Sequence, residues 1–281
     1  MLFLLLDQNL ESGIISGIIF LACIGVMTFF AFRLVERIYS LIYKRPIFVH
    51  WYFKLRTINP DQKQILQEQF LFYNKLSQRK KRFFEHRVAT FIKNKKFLGR
   101  DGIAVDGDVE VLIAATAVML TFGFRDYLIG AVSTIIIYPE KFFSQIKQEY
   151  HKGEFNPLLS ALVLSWKDFK EGYAIENDNL NLGIHEFAHA IHFNSKTESD
   201  ISSVIFRESI NELLHLLSND KKLRDDLVNS HYLRSYAYTN PFEFLAVIIE
   251  NFIETPHLFK DQFPQIYGKV KQMLNFNVRG Y

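Results

Sequence analysis

The chain has 281 residues, of which 49% are hydrophobic and 22% are charged, and its formal net charge is +3. So many charged residues exclude a polytopic membrane protein, and the nearly neutral balance argues against a nucleic-acid partner, which would require a concentrated basic face. The single cysteine, Cys23, excludes both a disulfide within the chain and a cysteine-rich zinc site. Any metal site would therefore use histidine and carboxylate ligands.

The N-terminal segment is apolar and predicts a membrane span. Residues 12–32 carry no charge, and as a helix they extend about 30 Å, the thickness of the hydrocarbon core of a bilayer. A cleaved signal peptide is the alternative, but the segment lacks the basic residues that open such a peptide. Arg33 and Arg37 follow the run, so the positive-inside rule predicts a single-pass anchor in the cytoplasmic membrane, with the remainder of the chain in the cytoplasm. Gly13 and Gly17 form a GxxxG pair through which two anchors could associate as a homodimer.

The sequence predicts two parts, an anchor with its juxtamembrane segment over residues 1–44 and one domain over residues 45–281. We expect the domain to begin with helices over residues 58–96, because Asn59 can cap a helix that has Pro60 at its first position. The second half of this stretch is strongly basic. We interpret it as an amphipathic helix with a solvated basic face; nucleic-acid binding and contact with anionic lipid headgroups are the alternatives.

Strand patterns follow a long apolar helix predicted over residues 109–120. Residues 131–138 and 159–165 are rich in β-branched and apolar residues and lie next to prolines, which predicts buried strands, and residues 150–155 are a candidate for a third. After Trp166 almost every segment has a helical pattern. This segregation predicts an α+β domain with a small sheet and a mostly helical remainder.

The motif HEFAH at residues 185–189 carries the clearest chemical signal in the chain. Its apolar surroundings predict a helix, which Asp178 or Asn179 can cap. Histidines four positions apart lie on one helix face and can direct ring nitrogens to one ion, while the glutamate between them is offset toward a water beside that ion. We therefore predict one zinc ion per chain. The residues predicted for this site are two zinc ligands and a general base: His185, His189 and Glu186.

Catalytic zinc takes three protein ligands and leaves its fourth position to water, so a third ligand must come from another part of the chain. The helix predicted after Pro241 has three glutamates that return to nearly the same helix face: Glu243, Glu250 and Glu254. Periodicity leaves all three open. His192 also shares the face of the motif, but three ligands on one rigid helix would have an unusual geometry, so we interpret it as a packing residue or a residue next to the ligands.

Two segments make the chain resemble the Mlc titration factor A family of zinc-dependent peptidases. They are NLGIHEFAH at residues 181–189 and SYAYTNPFEFLAVIIENF at residues 235–252, with weaker similarity in IYP at residues 137–139 and VLSW at residues 163–166. The resemblance covers most of residues 58–270 in family order. It implies a zincin-like metallopeptidase domain, similar to the catalytic domain of anthrax lethal factor, here preceded by one transmembrane helix.

The resemblance also implies roles for single residues. Glu243 is expected to be the third zinc ligand, and Tyr236, seven residues earlier, to donate a hydrogen bond to the oxyanion formed in peptide hydrolysis, with Tyr238 as a second candidate. With Glu243 as the ligand, we expect Glu250 either to orient a ligand histidine or to cap a helix. His192 stands where the family usually has an acidic residue. The implied activity is that of a zinc metallopeptidase, with an aminopeptidase-like enzyme as one form.

The expected substrate is a peptide or protein, which could add as a strand beside residues 162–165. The alternative function is a regulatory zinc-containing binding protein that sequesters a cytoplasmic partner such as a transcription regulator, as the family's name suggests. Glu186 favours catalysis, because a structural zinc ion has no use for a general base.

Overall fold

The computed structural model describes residues 2–144, 148–174 and 177–278, with side chains from residue 14 onward. The chain divides into two compact units, residues 1–47 and 48–281. The first unit contains α1 (Leu2–Tyr43), which exposes nearly all of its large apolar side chains from residue 14 onward. By length and composition this helix can cross a membrane. Gly13, half of the predicted GxxxG pair, lies outside the residues whose side chains are described.

The second unit opens with three helices, α2 (Pro60–Gln69), α3 (Leu71–Lys75) and α4 (Gln78–Asn94). Asn59 caps α2 as predicted, and helical geometry is interrupted at Phe70, whose backbone leaves the helix while its ring is buried. The basic face of α4 is not wholly solvated, because Arg87 is fully buried. Its guanidinium donates to carbonyl oxygens of the segment after α5 (Gly107–Leu120): Thr121, Phe122 and Phe124.

A four-stranded sheet forms the β part of the domain. Its strands lie in the order β1 (Lys96–Gly99), β2 (Thr134–Tyr138), β6 (Ala161–Ser165) and β5 (Gly153–Asn156). The first three are parallel, and β5 is an antiparallel edge strand paired with β6. A separate antiparallel pair consists of β3 (Phe142–Ser144) and β4 (Glu149–His151).

The two predicted main strands are present as β2 and β6. The predicted third strand over residues 150–155 is wrong as one element, because its first part pairs with β3 and its second part with β6. Neither β1 nor β3 was predicted, since they are too short to show a period, and Lys96 was assigned to the basic helix. The expectation that a substrate strand adds beside residues 162–165 is also wrong, because β6 already has a partner at each edge.

Helices make up most of the remainder, which confirms the predicted α+β class. Their bounds are α5 (Gly107–Leu120), α6 (Trp166–Ala174), α7 (Leu182–Thr197), α8 (Ile201–Asn219), α9 (Lys221–Asn229), a 3-10 turn (Ser235–Tyr238), α10 (Pro241–Glu254), α11 (Pro256–Gln262) and α12 (Pro264–Met273). The HEFAH motif lies in α7, which packs against β5, β6, α5, α6, α8 and α10.

The cap of α7 differs from the prediction. Asn181 is the N-cap, and its side-chain oxygen accepts a hydrogen bond from the backbone N–H of Ile184 at 3.0 Å. Asp178 instead accepts from the backbone N–H of Leu180, and Asn179 has a φ of 57°, a left-handed conformation in which asparagine is well tolerated. The two predicted caps therefore form the turn that leads into the helix.

Candidate metal centre

Two helices bring three metal-binding side chains together. His185 and His189 lie in α7 and Glu243 lies in the first turn of α10, and the three form a group that could hold a metal ion. Nε2 of His185 is 3.0 Å from Nε2 of His189 and 3.0 Å from Oε2 of Glu243. Nε2 of His189 is 3.4 Å from Oε2 of Glu243. Ligand atoms around a tetrahedral zinc ion are separated by about 3.4 Å, given bond lengths of about 2.1 Å. The donor set and its spacing therefore fit zinc.

Glu250 fixes the orientation of the first histidine. Its Oε1 is 2.5 Å from Nδ1 of His185, and its side chain is fully buried in the third turn of α10. Because this contact uses Nδ1, the other ring nitrogen faces His189 and Glu243. A carboxylate behind a metal-binding imidazole is a common arrangement, which sets the tautomer of the ring and raises its basicity.

Arg234 holds Glu250 from the other side, and sequence reasoning did not find it. Its two terminal nitrogens donate to the two carboxylate oxygens at 2.8 and 2.7 Å, and the backbone N–H of Asn181 adds a third hydrogen bond at 3.2 Å. A buried carboxylate requires such partners. This requirement could have indicated Arg234 from the sequence, because a glutamate buried in α10 needs a cation nearby.

Burial disfavours the charged forms of His185 and Glu243, but hydrogen bonds to neighbouring side chains shift the pKa of each group further in the opposite direction. Hydrogen bonds to Glu243 and Glu250 raise the pKa of His185 to about 9. Hydrogen bonds from His185 and His189 hold the pKa of the Glu243 carboxyl well below its usual range. Glu243 is therefore an anion at neutral pH and is ready to bind a cation, and a metal ion would compete with the proton for the imidazole nitrogens.

Glu186 lies beside a close approach between α7 and the edge strand β5. Only 6% of Glu186 is exposed. A Cβ atom added at Gly153 would lie 2.7 Å from its Cγ, 2.8 Å from its Oε1 and 2.7 Å from Cδ1 of Leu182. Real Cβ atoms do not approach other atoms so closely. The absence of a side chain at Gly153 therefore leaves room for the Glu186 carboxylate.

The structure separates the two tyrosine candidates. The ring centroid of Tyr236 is 6.2 Å from that of His185, and the side chain lies near enough to Glu243 for this carboxylate to affect its pKa. Burial and the carboxylates of Glu243 and Glu186 raise the pKa of Tyr236 to about 12. The hydroxyl of Tyr238 instead donates to the carbonyl oxygen of Leu227 at 3.1 Å, so this residue is directed away from the group.

His192 and Glu254 are not part of the donor group. The ring of His192 stacks on Phe242, with centroids 4.4 Å apart, and Phe242 also stacks on His189. Burial and the charge of Lys196 lower the pKa of His192 to about 4. Its position agrees with the packing interpretation. Glu254 lies at the last turn of α10, where burial raises its pKa to about 7.

The three candidate ligands and Glu186 line a cleft of about 790 Å³. Its walls include Gly153 and Phe155 of β5, Arg234, Tyr236 and Phe242. The cleft is large enough for several residues of a peptide, since small-molecule sites typically enclose about 300–1,000 Å³.

Comparison with known proteins agrees with this geometry. Residues 49–275 match the family described as glucose-regulated metallo-peptidase M90. The uncharacterised protein slr2042 of Synechocystis sp. is 24% identical over 247 residues, which cover 82% of this chain and 85% of the relative. Mlc titration factor A of Salmonella arizonae is 24% identical over 197 residues, covering 65% and 78%. The protein of the same name in Yersinia pestis is 22% identical over 202 residues, covering 64% and 72%.

The resemblance to the Mlc titration factor A family is thereby confirmed, and with it a zincin-like, metallopeptidase-type domain. The match extends over both halves of the domain, so it includes the segments that carry α7 and α10. Because it covers well over half of the sequence, the chain belongs to the glucose-regulated metallopeptidase M90 family.

Proposed function

We propose that the chain is a membrane-anchored zinc-dependent peptidase in which Glu186 is the general base. The observation that carries this proposal is the convergence of His185, His189 and Glu243 at one point of a cleft whose wall includes Glu186. Two imidazoles and one glutamate are the donor set of known zinc peptidases, which leave a fourth position to water. A closed structural site would instead fill that position with protein.

In this proposal zinc is held by His185, His189 and Glu243, one ion per chain, and when bound it supplies Lewis acidity toward water and the scissile carbonyl. The Glu186 carboxylate accepts the proton of the attacking water and later delivers it to the leaving amine. Its burial limits exchange of that proton with bulk solvent.

Tyr236 is the proposed donor to the oxyanion of the tetrahedral intermediate. A pKa of about 12 keeps its hydroxyl protonated at neutral pH, as a donor must be. The side chain is 48% exposed, so the hydroxyl is free to turn from Glu243 toward a bound substrate. Tyr236→Phe should lower kcat and leave zinc content unchanged.

The peptide substrate is proposed to extend the sheet beside β5 rather than beside β6. Residues 153–155 of this edge strand line the cleft, and a peptide there would be recognised mainly through its backbone. Exposed Glu171 and Asp178 also line the cleft and could pair with a free N-terminal ammonium, which supports an aminopeptidase-like activity. Loss of cleavage on acetylation of the substrate's N-terminus would be the expected result; equal cleavage would indicate an endopeptidase.

Residues 1–44 are proposed to anchor residues 45–281 to the cytoplasmic face of the membrane, with insertion of residues 12–32 into the bilayer. The apolar, exposed surface of α1 supports this, as do Arg33 and Arg37 directly after the apolar run, because basic residues that flank a span favour the cytoplasm. A reporter fused to the C-terminus should be active in the cytoplasm. Homodimer formation through Gly13 and Gly17 should be lost on Gly17→Leu.

The decisive experiment compares two glutamates of α10 in the purified full chain. Wild-type protein should bind about one zinc ion and cleave peptides, and chelation should abolish cleavage. Glu243→Gln should lose zinc and activity together. Glu250→Gln should retain a zinc site weakened about 10–100-fold, the usual effect of losing a partner behind a ligand. If Glu250→Gln loses zinc and Glu243→Gln retains it, then Glu250 is the ligand.

A regulatory zinc-containing binding protein is the second candidate, because two relatives are named Mlc titration factor A. In that case a cytoplasmic transcription regulator would be the partner. Wild-type protein that binds zinc and such a regulator but cleaves no peptide would favour this function, and Glu186→Gln would then change nothing measurable.

A further inference from the structure

The segment that opens the second unit turns two large aromatic side chains outward. His50 and Tyr52 pack on Phe83 of α4, with ring centroids 4.8 and 5.8 Å apart. The alternate residues, Trp51 and Phe53, are 69% and 97% exposed, and their rings lie 5.6 Å from each other. Side chains along this segment therefore alternate between contact with α4 and solvent.

Exposed cations lie on the same segment and on α4, the helix that it packs against. Lys54 and Arg56 follow them in the chain, and residues 44–59 contain no carboxylate. The guanidinium of Arg79 lies 5.7 Å from the ring of Phe83, the ring on which His50 stacks. Arg82, one turn further along α4, is exposed as well. We call these six residues the aromatic–basic patch: Trp51, Phe53, Lys54, Arg56, Arg79 and Arg82.

Adjacent exposed aromatics of this size are unfavourable in water and mark a contact surface. Tryptophan and neighbouring basic residues are enriched at the headgroup level of bilayers, where rings enter the interface and cations meet anionic lipids. The eight residues from Tyr43, the end of α1, to Trp51 reach at most about 28 Å when fully extended. Residues 33–43 of α1, beyond the proposed span, add about 16 Å, so an inserted α1 tethers the patch within reach of the bilayer surface.

We infer that the aromatic–basic patch rests on an anionic bilayer surface, with Trp51 and Phe53 at headgroup depth and the four cations among lipid phosphates. The inference rests on the proposed membrane anchor. It adds that the second unit itself touches lipid, through one defined face.

Tryptophan fluorescence of the full chain in vesicles tests this contact. The chain has two tryptophans, so Trp166→Phe leaves Trp51 as the only emitter. Its emission should be blue-shifted, and it should be quenched by phosphatidylcholine brominated near the headgroup end of the acyl chains. Trp51→Phe, which keeps the partly buried Trp166, is the control and should show no quenching by brominated lipid.

Charge is tested separately. Adding phosphatidylglycerol should increase the quenching of Trp51, and Arg79→Gln/Arg82→Gln should remove that increase. The matched control is Lys221→Gln/Lys222→Gln, a pair of exposed cations on α9, which should retain it.

Flotation separates failure of the patch from failure of the anchor. Protein that floats with vesicles while Trp51 stays water-exposed and unquenched overturns the patch but leaves the anchor intact. A blue-shifted Trp51 that brominated lipid does not quench also overturns it, and indicates burial against protein instead. Protein that does not float refutes the anchor and the inference together.

Discussion

Arg234 and Glu250 form a two-point contact, with the terminal guanidinium nitrogens 2.8 and 2.7 Å from the two carboxylate oxygens. The planar guanidinium fits a carboxylate in this way, and lysine does not. Since Glu250 in turn contacts Nδ1 of His185, the arginine determines where that imidazole points. Arg234 therefore acts on the metal site without being part of the donor group.

Arg234→Gln should weaken zinc binding about 10–100-fold, the usual effect of removing a partner behind a ligand. The affinity is measured by competition with a chromophoric chelator. Arg234→Lys should recover little of the loss, because a single ammonium cannot make both contacts. Arg224→Gln, an exposed arginine in α9, is the control. Unchanged zinc affinity in Arg234→Gln would reduce this residue to a packing role.

Glu186→Gln should leave zinc content unchanged and lower kcat by about 10²–10⁴-fold, the usual contribution of a general base. The amide retains the size of the side chain but cannot accept the proton. Metal analysis and peptide cleavage on the same preparation measure both effects. Glu68→Gln, at an exposed position of α2, should have neither effect. Full activity in Glu186→Gln would rule out the proposed mechanism.

Gly153→Ala should reduce kcat/KM on the order of 10²-fold, because the new methyl group meets the Glu186 side chain and displaces its carboxylate. Zinc should remain bound, since none of the atoms nearest the added Cβ belongs to a proposed ligand. The control is Gly268→Ala in α12, where an added Cβ meets nothing within 4 Å. That change should raise the free energy of unfolding by up to about 1 kcal/mol. Wild-type rates in Gly153→Ala would mean that β5 can shift to accommodate the added methyl group without displacing the Glu186 carboxylate.

His192→Phe should make the fold less sensitive to acid. Burial lowers the pKa of His192 from 6.5 to about 4 in the folded protein, so between these values the unfolded chain binds a proton that the folded protein does not. The stabilising contribution is therefore complete above pH 6.5 and is lost as the pH falls toward 4. Thermal unfolding near both pH values measures it. His215→Phe, at an exposed position of α8, should keep the wild-type pH dependence.

Local signals in the sequence were sufficient for several elements. A cap residue followed by proline predicted the start of α2 at Pro60, and the four-residue spacing of His185 and His189 depends only on helix geometry. The choice among three glutamates could not be made from periodicity, because the residues of one helix face are equivalent until a partner helix is known. The structure brings Glu243 to both histidines and Glu250 to the far side of one.

What sequence reasoning missed depends on contacts between distant segments. Arg234 is 16 positions from Glu250 in the chain and contacts it only because a turn separates their elements. Gly153 is a single residue in a four-residue strand, and its role depends on the approach of α7. The cap at Asn181 was missed because Asp178 and Asn179 are equally good cap residues, and only the left-handed backbone at Asn179 excludes it from the helix.

Asn181 begins α7 with its side chain and contacts Glu250 with its backbone N–H. Asn181 thus determines where α7 begins, and through Glu250 it also affects the direction of the His185 imidazole. Each residue of an α-helix advances the side-chain direction by about 100°. Inserting a single alanine between Asn181 and His185 would leave every proposed ligand in the chain, yet turn the histidines away from Glu243. The distance in sequence from cap to motif is therefore as much a part of the metal site as the ligands themselves.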